Sequence, residues 1–182
     1  MTLIKFFITA VAALLLLFVG LGLVLDGEWE VERSRVVPIP AEALYAELAS
    51  IDGWTTWGSL GTVEGERHGP PSGPGATVRW DDPQWGEGEW TLTGIESDRA
   101  VEYEVRVEGG ALITRGRLDL DSVAEGTRIH WTESGDFGWN PFLAFMALGM
   151  DRMQGSEMEK SLDRLQDHLG VPPAPRPEGG SD

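Results

Sequence analysis

Tyr103, Arg115, His130 and Glu133 are the side chains best suited to hold a polar group or move a proton in this chain. All four lie in segments with strand character. A general acid or base works only when it is held within hydrogen-bond reach of its target. Between Thr127 and Ser134, two-residue alternation that turns Trp131 inward turns Glu133 inward and His130 outward. A buried carboxylate needs a partner or takes a raised pKa. Arg115 is the candidate partner; the alternative leaves Glu133 at a strand end on the solvent rim. His130 then reads as a sheet histidine, exposed or satisfied.

No larger catalytic set assembles around them. His68, His130 and His168 lack ligand spacing, and there is no H-E-x-x-H. Ser34, Ser59, Ser134 and Ser156 lie outside any nucleophile elbow. Gly86-Glu87-Gly88 and the glycines of 58–75 are not followed by Lys-Ser/Thr, so they make no phosphate loop. Asp119-Leu120-Asp121 is too short for a calcium loop. The chain has no cysteine, which excludes disulfides, thiolate nucleophiles and Cys-based metal sites. We therefore assign no catalytic residue, no metal and no cofactor from the sequence.

The eight tryptophans are the compositional excess. Trp29, Trp54, Trp57, Trp80, Trp85, Trp90, Trp131 and Trp139 each bring a large apolar surface and an N–H that wants an acceptor. Ordinary core packing accounts for most of them. Trp80, Trp90, Tyr103 and Trp131 fall inside predicted strands and are the expected lining for a flat or greasy ligand. Met146, Met150 and Met153 would add adaptable walls from a helix, with plain core as the competing reading. The expected ligand-binding set is Trp80, Trp90, Tyr103, Arg115, Trp131, Glu133, Met146 and Met150.

These residues need a scaffold, and the pattern supplies one. Glu28 to Val37 reads as a strand, stopped by Pro38 and Pro40. Ala41 to Ala49 is a short helix, with Pro40 suited to its first position. Ile51-Asp-Gly-Trp54 breaks that helix, and a second helical turn runs toward Trp57. The segment 58–75 is rich in Gly and Pro, with a possible strand at Thr62 to Arg67. Strands follow at Ala76 to Trp80, Gly88 to Glu96 and Ala100 to Glu108. In the last, Val101, Tyr103, Val105 and Val107 alternate with charged residues, so one face is buried. Gly109-Gly110 predicts a two-residue hairpin turn. Ala111 to Leu120 and Thr127 to Ser134 complete the sheet. Asn140 and Pro141 then open a long helix with a bend near Gly155, ended by Gly170 and Pro172. That helix is the one element large enough to cover the sheet.

Phe6 to Leu25 carries no charge and is long enough to cross a bilayer as one helix. A cleaved secretory signal is the competing reading, but Gly20-Leu21-Gly22 is a poor cleavage site. Lys5 precedes the run and Asp26, Glu28, Glu30 and Glu32 follow it. The positive-inside rule then predicts a cytoplasmic amino terminus and an extracytoplasmic body. The body holds all 30 acidic residues against 13 basic ones, a charge near −17. Such a field argues against nucleic acid and against firm docking on anionic lipid.

Several patterns together resemble the START-like helix-grip superfamily, and within it the polyketide cyclase/dehydrase and lipid-transport family (SRPBCC-type). They are Arg33 to Glu42 with Leu44 and Tyr45, Asp52-Gly53-Trp54 with Trp57, and Gly73 to Ala76 before Val78 and Trp80. Gly126 to Trp131 and the closing stretch Glu159 to Leu169 complete the resemblance. It implies an α+β helix-grip fold: a curved antiparallel β-sheet wrapped around a long C-terminal α-helix, here preceded by one N-terminal transmembrane helix. The expected divisions are an anchor at 1–27, the helix-grip domain at 28–170 and a disordered Pro/Gly-rich tail at 171–182. The resemblance also implies a cavity between sheet and helix for a hydrophobic small molecule or lipid. Two other functions compete: a cyclase or dehydratase using His130, Glu133, Tyr103 or Arg115, and a solid interaction module that recruits an unknown protein partner to the membrane.

Overall fold

The computed structural model describes residues 2–83, 86–97 and 99–171. Trp85 and the proline-rich segment 172–182, expected to be disordered, lie outside the described residues. The order is α1 (Thr2–Gly22), β1 (Glu28–Val37), α2 (Ala41–Leu48), α3 (Ile51–Trp57), a 3-10 turn (Ser59–Thr62), β2 (Glu66–His68), β3 (Thr77–Asp82) and β4 (Gly86–Glu96). It continues with β5 (Ala100–Val107), β6 (Leu112–Val123), β7 (Gly126–Asp136), α4 (Pro141–Ala147) and α5 (Met150–His168). The seven strands form one antiparallel sheet in the order β1-β7-β6-β5-β4-β3-β2. Its inner face is covered by α5 and by α2 and α3.

Alternation sets that inner face. Val31 and Val37 on β1, Trp90 and Leu92 on β4, and Val101 and Tyr103 on β5 are buried. So are Leu118 and Leu120 on β6 and Ile129, Trp131 and Glu133 on β7. Opposite them Met158, Leu162 and Leu165 of α5 are at most 1% exposed. Three inner-face aromatics face a glycine directly across the ladder: Trp29 pairs with Gly135, Trp80 with Gly88 and Tyr103 with Gly116. A Cβ at each glycine would overlap the partner ring. The glycines thus clear a flat bed on which the rings lie, and the rings restore the burial a glycine lacks.

The inner face of β1 carries two arginines, and they join it to α5. Arg33 Nε donates to Glu159 Oε1 (2.8 Å) and Nη1 to Asp151 Oδ1 (2.8 Å). Its Nη2 donates to the Asp151 carbonyl at 3.0 Å. Arg35 pairs with Asp163 and donates to Gln166 Oε1 at 2.9 Å. Asp151, Glu159 and Asp163 lie on one stripe of α5 at four-residue spacing, with Gly155 the missing member. A Cβ at Gly155 would collide with the Arg33 guanidinium.

The structure differs from the sequence reading at five places, the first being the strand expected at Thr62 to Arg67, which is a 3-10 turn ending at Thr62 and a short strand at Glu66–His68. The closing helix does not bend at Gly155; it is two helices that part at Leu148-Gly149. The physical reason is that α4 packs on α1 whereas α5 packs on β1 and α3. The Gly109-Gly110 turn is four residues long, because Val107 pairs with Leu112 and Glu108, Gly109 and Gly110 all take positive φ. The break after α2 falls at Ala49-Ser50, where the Ser50 side chain caps α3 by accepting from the Gly53 N–H. Val171, placed with the tail, is buried; its N–H bonds Gln166 O and the Gly170 N–H bonds Asp167 O. That pair is the glycine-terminated helix stop, with Gly170 at φ +68°.

Two alanine substitutions separate these glycine roles. Gly116→Ala forces the Tyr103 ring off its bed and is expected to cost about 1–3 kcal/mol by overpacking. Gly155→Ala displaces the flexible end of Arg33 and loses exposed ion pairs, while gaining about 1 kcal/mol of helix propensity. It is expected to be close to neutral. Thermal unfolding followed by near-ultraviolet circular dichroism measures both.

Candidate functional site

Helix α3 points two indoles into the concavity. Trp54 and Trp57 are one turn apart and both buried. Trp54 sits at the centre of an aromatic cluster, with ring centroids 4.3 Å from Trp57, 4.8 Å from Tyr103, 5.0 Å from Trp90 and 5.9 Å from Trp131. Its Nε1 donates to the Leu48 carbonyl at 2.6 Å, which ties α3 to the end of α2. Trp90 stacks on Tyr103 at 5.3 Å. The centre of the concavity is therefore filled with rings.

A directional polar chain runs through this cluster. Trp131 Nε1 donates to Tyr103 Oη at 2.9 Å, and Tyr103 donates to Glu133 Oε1. Gln154 of α5 donates to Glu133 Oε2. Both carboxylate oxygens thus accept, and the chain links β5, β7 and α5. Burial pushes the Glu133 carboxyl above its usual pKa, and the bonds from Tyr103 and Gln154 oppose that. Burial, then the Glu133 charge, pushes the Tyr103 hydroxyl well above its usual range. Tyr103 is accordingly a donor at neutral pH, and the donors on Glu133 are already supplied.

Beside the cluster lies a cleft of about 420 Å³ between the β3–β5 end of the sheet, the 3-10 turn and α5. Leu60, Val63, Trp80, Trp90, Val105 and Val107 form its apolar wall. Gln154, Glu157 and Arg164 of α5 supply polar atoms at one side. Arg164 is held there by bonds from Nε to the Trp57 carbonyl and from Nη2 to Ser161 Oγ, both 2.8 Å. Trp80 Nε1 is buried and has no acceptor among the described residues.

Of the side chains expected to bind a ligand, Trp80 and Trp90 line this cleft. Tyr103, Trp131 and Glu133 lie behind its wall, in the polar chain. Arg115 is on the opposite face: its side chain is 67% exposed and pairs with Glu104 at 3.2 Å, because alternation with the buried Leu118 and Leu120 puts Gly116, not Arg115, on the inner face. Met146 projects outward from α4 and Met150 is buried in the core away from the cleft. His130 is half-buried, between Ser34 and Asp119 on the neighbouring strands. The real partners of Glu133 are Tyr103 and Gln154, and sequence reasoning missed Gln154. The available signal was its place four residues after Met150, on the inward side of α5. Leu60 and Val63 were missed: Leu60 lies in the 3-10 turn Ser59–Thr62 and Val63 directly after it, ahead of the strand that begins only at Glu66.

The fold and the lined concavity define a helix-grip protein. The profile of the family described as "Polyketide cyclase / dehydrase and lipid transport" matches residues 28–170, and the chain belongs to that family. Solved structures similar in fold include protein CV1439 from Chromobacterium violaceum (12% identity, 79% of this chain and 98% of that one, TM-score 0.58). A protein from Rhodobacter sphaeroides (22%, 78% and 92%, TM-score 0.55) is also similar. So is MLL2253 from Mesorhizobium loti (17%, 76% and 97%, TM-score 0.54). No curated protein sequence matches the chain.

Removing the Glu133 charge tests the polar chain. Because its folded pKa lies above the unfolded one, the folded state holds the proton more tightly. Stability from this group is therefore fully present below the unfolded pKa and falls as pH rises through the folded one. Relative to Glu133→Gln, the native protein is expected to lose unfolding temperature as pH rises above the usual glutamate range. A difference that stays flat with pH would show that this carboxyl is not perturbed.

Proposed function

We propose that the protein is a membrane-tethered binding domain for a hydrophobic small molecule or lipid, which enters the cleft beside the aromatic cluster. The cleft carries this reading. Its volume falls within the range of about 300–1,000 Å³ typical of small-molecule sites, toward the small end. Its wall is apolar, with polar atoms gathered on the α5 side, which suits a ligand with one polar end. Family membership supports the same class of ligand. The expected site changes accordingly: Trp80 and Trp90 stay, Leu60, Val63, Val105 and Val107 join, and Gln154, Glu157 and Arg164 replace Arg115 as polar contacts.

Binding without catalysis fits better than cyclase or dehydratase chemistry. Glu133, the buried carboxyl, is not on the cleft surface, and its two oxygens are occupied by Tyr103 and Gln154. A working acid or base needs free access to the reacting atom. The tether is α1, which is long and apolar enough to cross a membrane and meets α4 of the domain near its end, at Phe18 and Gly22. In this reading the amino terminus is cytoplasmic, the domain is extracytoplasmic and the anchor is retained.

Two measurements check this. Mass spectrometry of organic extracts from the full chain is expected to return a bound apolar compound. Val105→Trp, which fills the cleft, is expected to cut uptake of a fluorescent fatty acid by about tenfold or more, about 1.4 kcal/mol. Empty extracts together with no probe uptake would overturn the reading. Separately, the intact mass of membrane-extracted protein is expected to include the first two dozen residues.

A further inference from the structure

The chain from Phe137 to Met150 contains no charged residue, yet much of it faces outward. Trp139 is 93% exposed, Leu148 70% and Phe142 58%, with Met146 beside them. A fully exposed tryptophan next to exposed Leu, Phe and Met on a short helix is a surface that water does not favour. Its position explains it. Helix α4 packs on α1: Phe18 stacks on Phe145 with centroids 4.3 Å apart and meets Phe142 at 5.7 Å. Pro141 presses against Gly22, where a Cβ would overlap it. Phe18 is four residues before the end of α1, about 6 Å inside the span along its axis. A helix that touches Phe18 from the side therefore sits at the level of the acyl boundary, not above it.

We propose that Trp139 and the outward face of α4 lie in the interfacial layer of the bilayer that α1 spans, as a second membrane contact. This rests on the reading of α1 as a retained membrane helix. Tryptophan partitions to that layer, with its ring apolar and its N–H wet. Apolar faces of interfacial helices sit about 5–10 Å below the headgroups. The bounding charges, Asp136 and Asp151, and the strongly acidic body fit a zwitterionic lipid surface rather than an anionic one. The tether then does more than hold the domain nearby. It fixes which side of the domain faces lipid, since α1 and α4 are locked by the Phe18 stack.

The absence of native cysteine allows single-site spin labelling of the full chain in phosphatidylcholine vesicles. Labels go to Trp139→Cys and Leu148→Cys, both too exposed to disturb folding. Glu125→Cys, in the turn between β6 and β7, is the aqueous control and Leu14→Cys the lipid control. Labels at 139 and 148 are expected to collide with oxygen in preference to a water-soluble nickel chelate, as at 14 and opposite to 125. Labels at 139 and 148 that behave like 125 while 14 stays in lipid would overturn this inference and leave the tether standing. A label at 14 open to the chelate would overturn both. Shielding of 139 and 148 from both reagents would mean a protein contact, and would also overturn it.

Discussion

The space between the sheet and α5 is filled by five aromatic rings, and that filling constrains everything else. Trp54 is the keystone because it comes from α3 and touches rings from three different strands. A curved sheet gripping one helix leaves a void unless something from a third element enters it. Here α3 enters, and it does so with tryptophan, which buries about 150–250 Å² per residue. The consequence is that open space is displaced to one end of the concavity. What remains is a cleft walled by Trp80 and Trp90, not a deep pouch.

The polar chain through the rings gives the packing its geometry. Aromatic faces slide over one another at small cost, whereas hydrogen bonds have direction. Trp131 to Tyr103 to Glu133, with Gln154 on the other oxygen, sets the height of α5 above β5 and β7. A carboxylate there is costly to desolvate, so its two donors are needed to keep it. At the edge of the sheet, Arg33 and Arg35 do a related task with weaker, more exposed pairs. The acidic stripe of α5 would repel itself without them.

The two halves of the closing helical segment serve different neighbours. Helix α5 belongs to the core, and α4 belongs to α1. The break at Leu148-Gly149 lets the chain satisfy both. The same break places the uncharged stretch around Trp139 beside the apolar helix while the cleft opens elsewhere.

Much of the fold was legible in the sequence because its signals are local. Alternation at Val101 to Val107, the Asn140-Pro141 start and Gly170 at the helix end depend on neighbours within a few residues. The long uncharged run near the amino terminus is likewise a property of composition. The inward turn of Glu133 also followed from alternation with Trp131. Other features depended on groups far apart in the chain. Nothing near Gly155 says that it makes room for Arg33, 122 positions earlier. Cross-strand glycine–aromatic pairs require the register, whereas the outward side of Arg115, left open in the sequence reading, follows from its alternation with the buried Leu118 and Leu120. Local periodicity determined which faces are apolar; tertiary packing alone decided which of those faces meet, and so where open space was left.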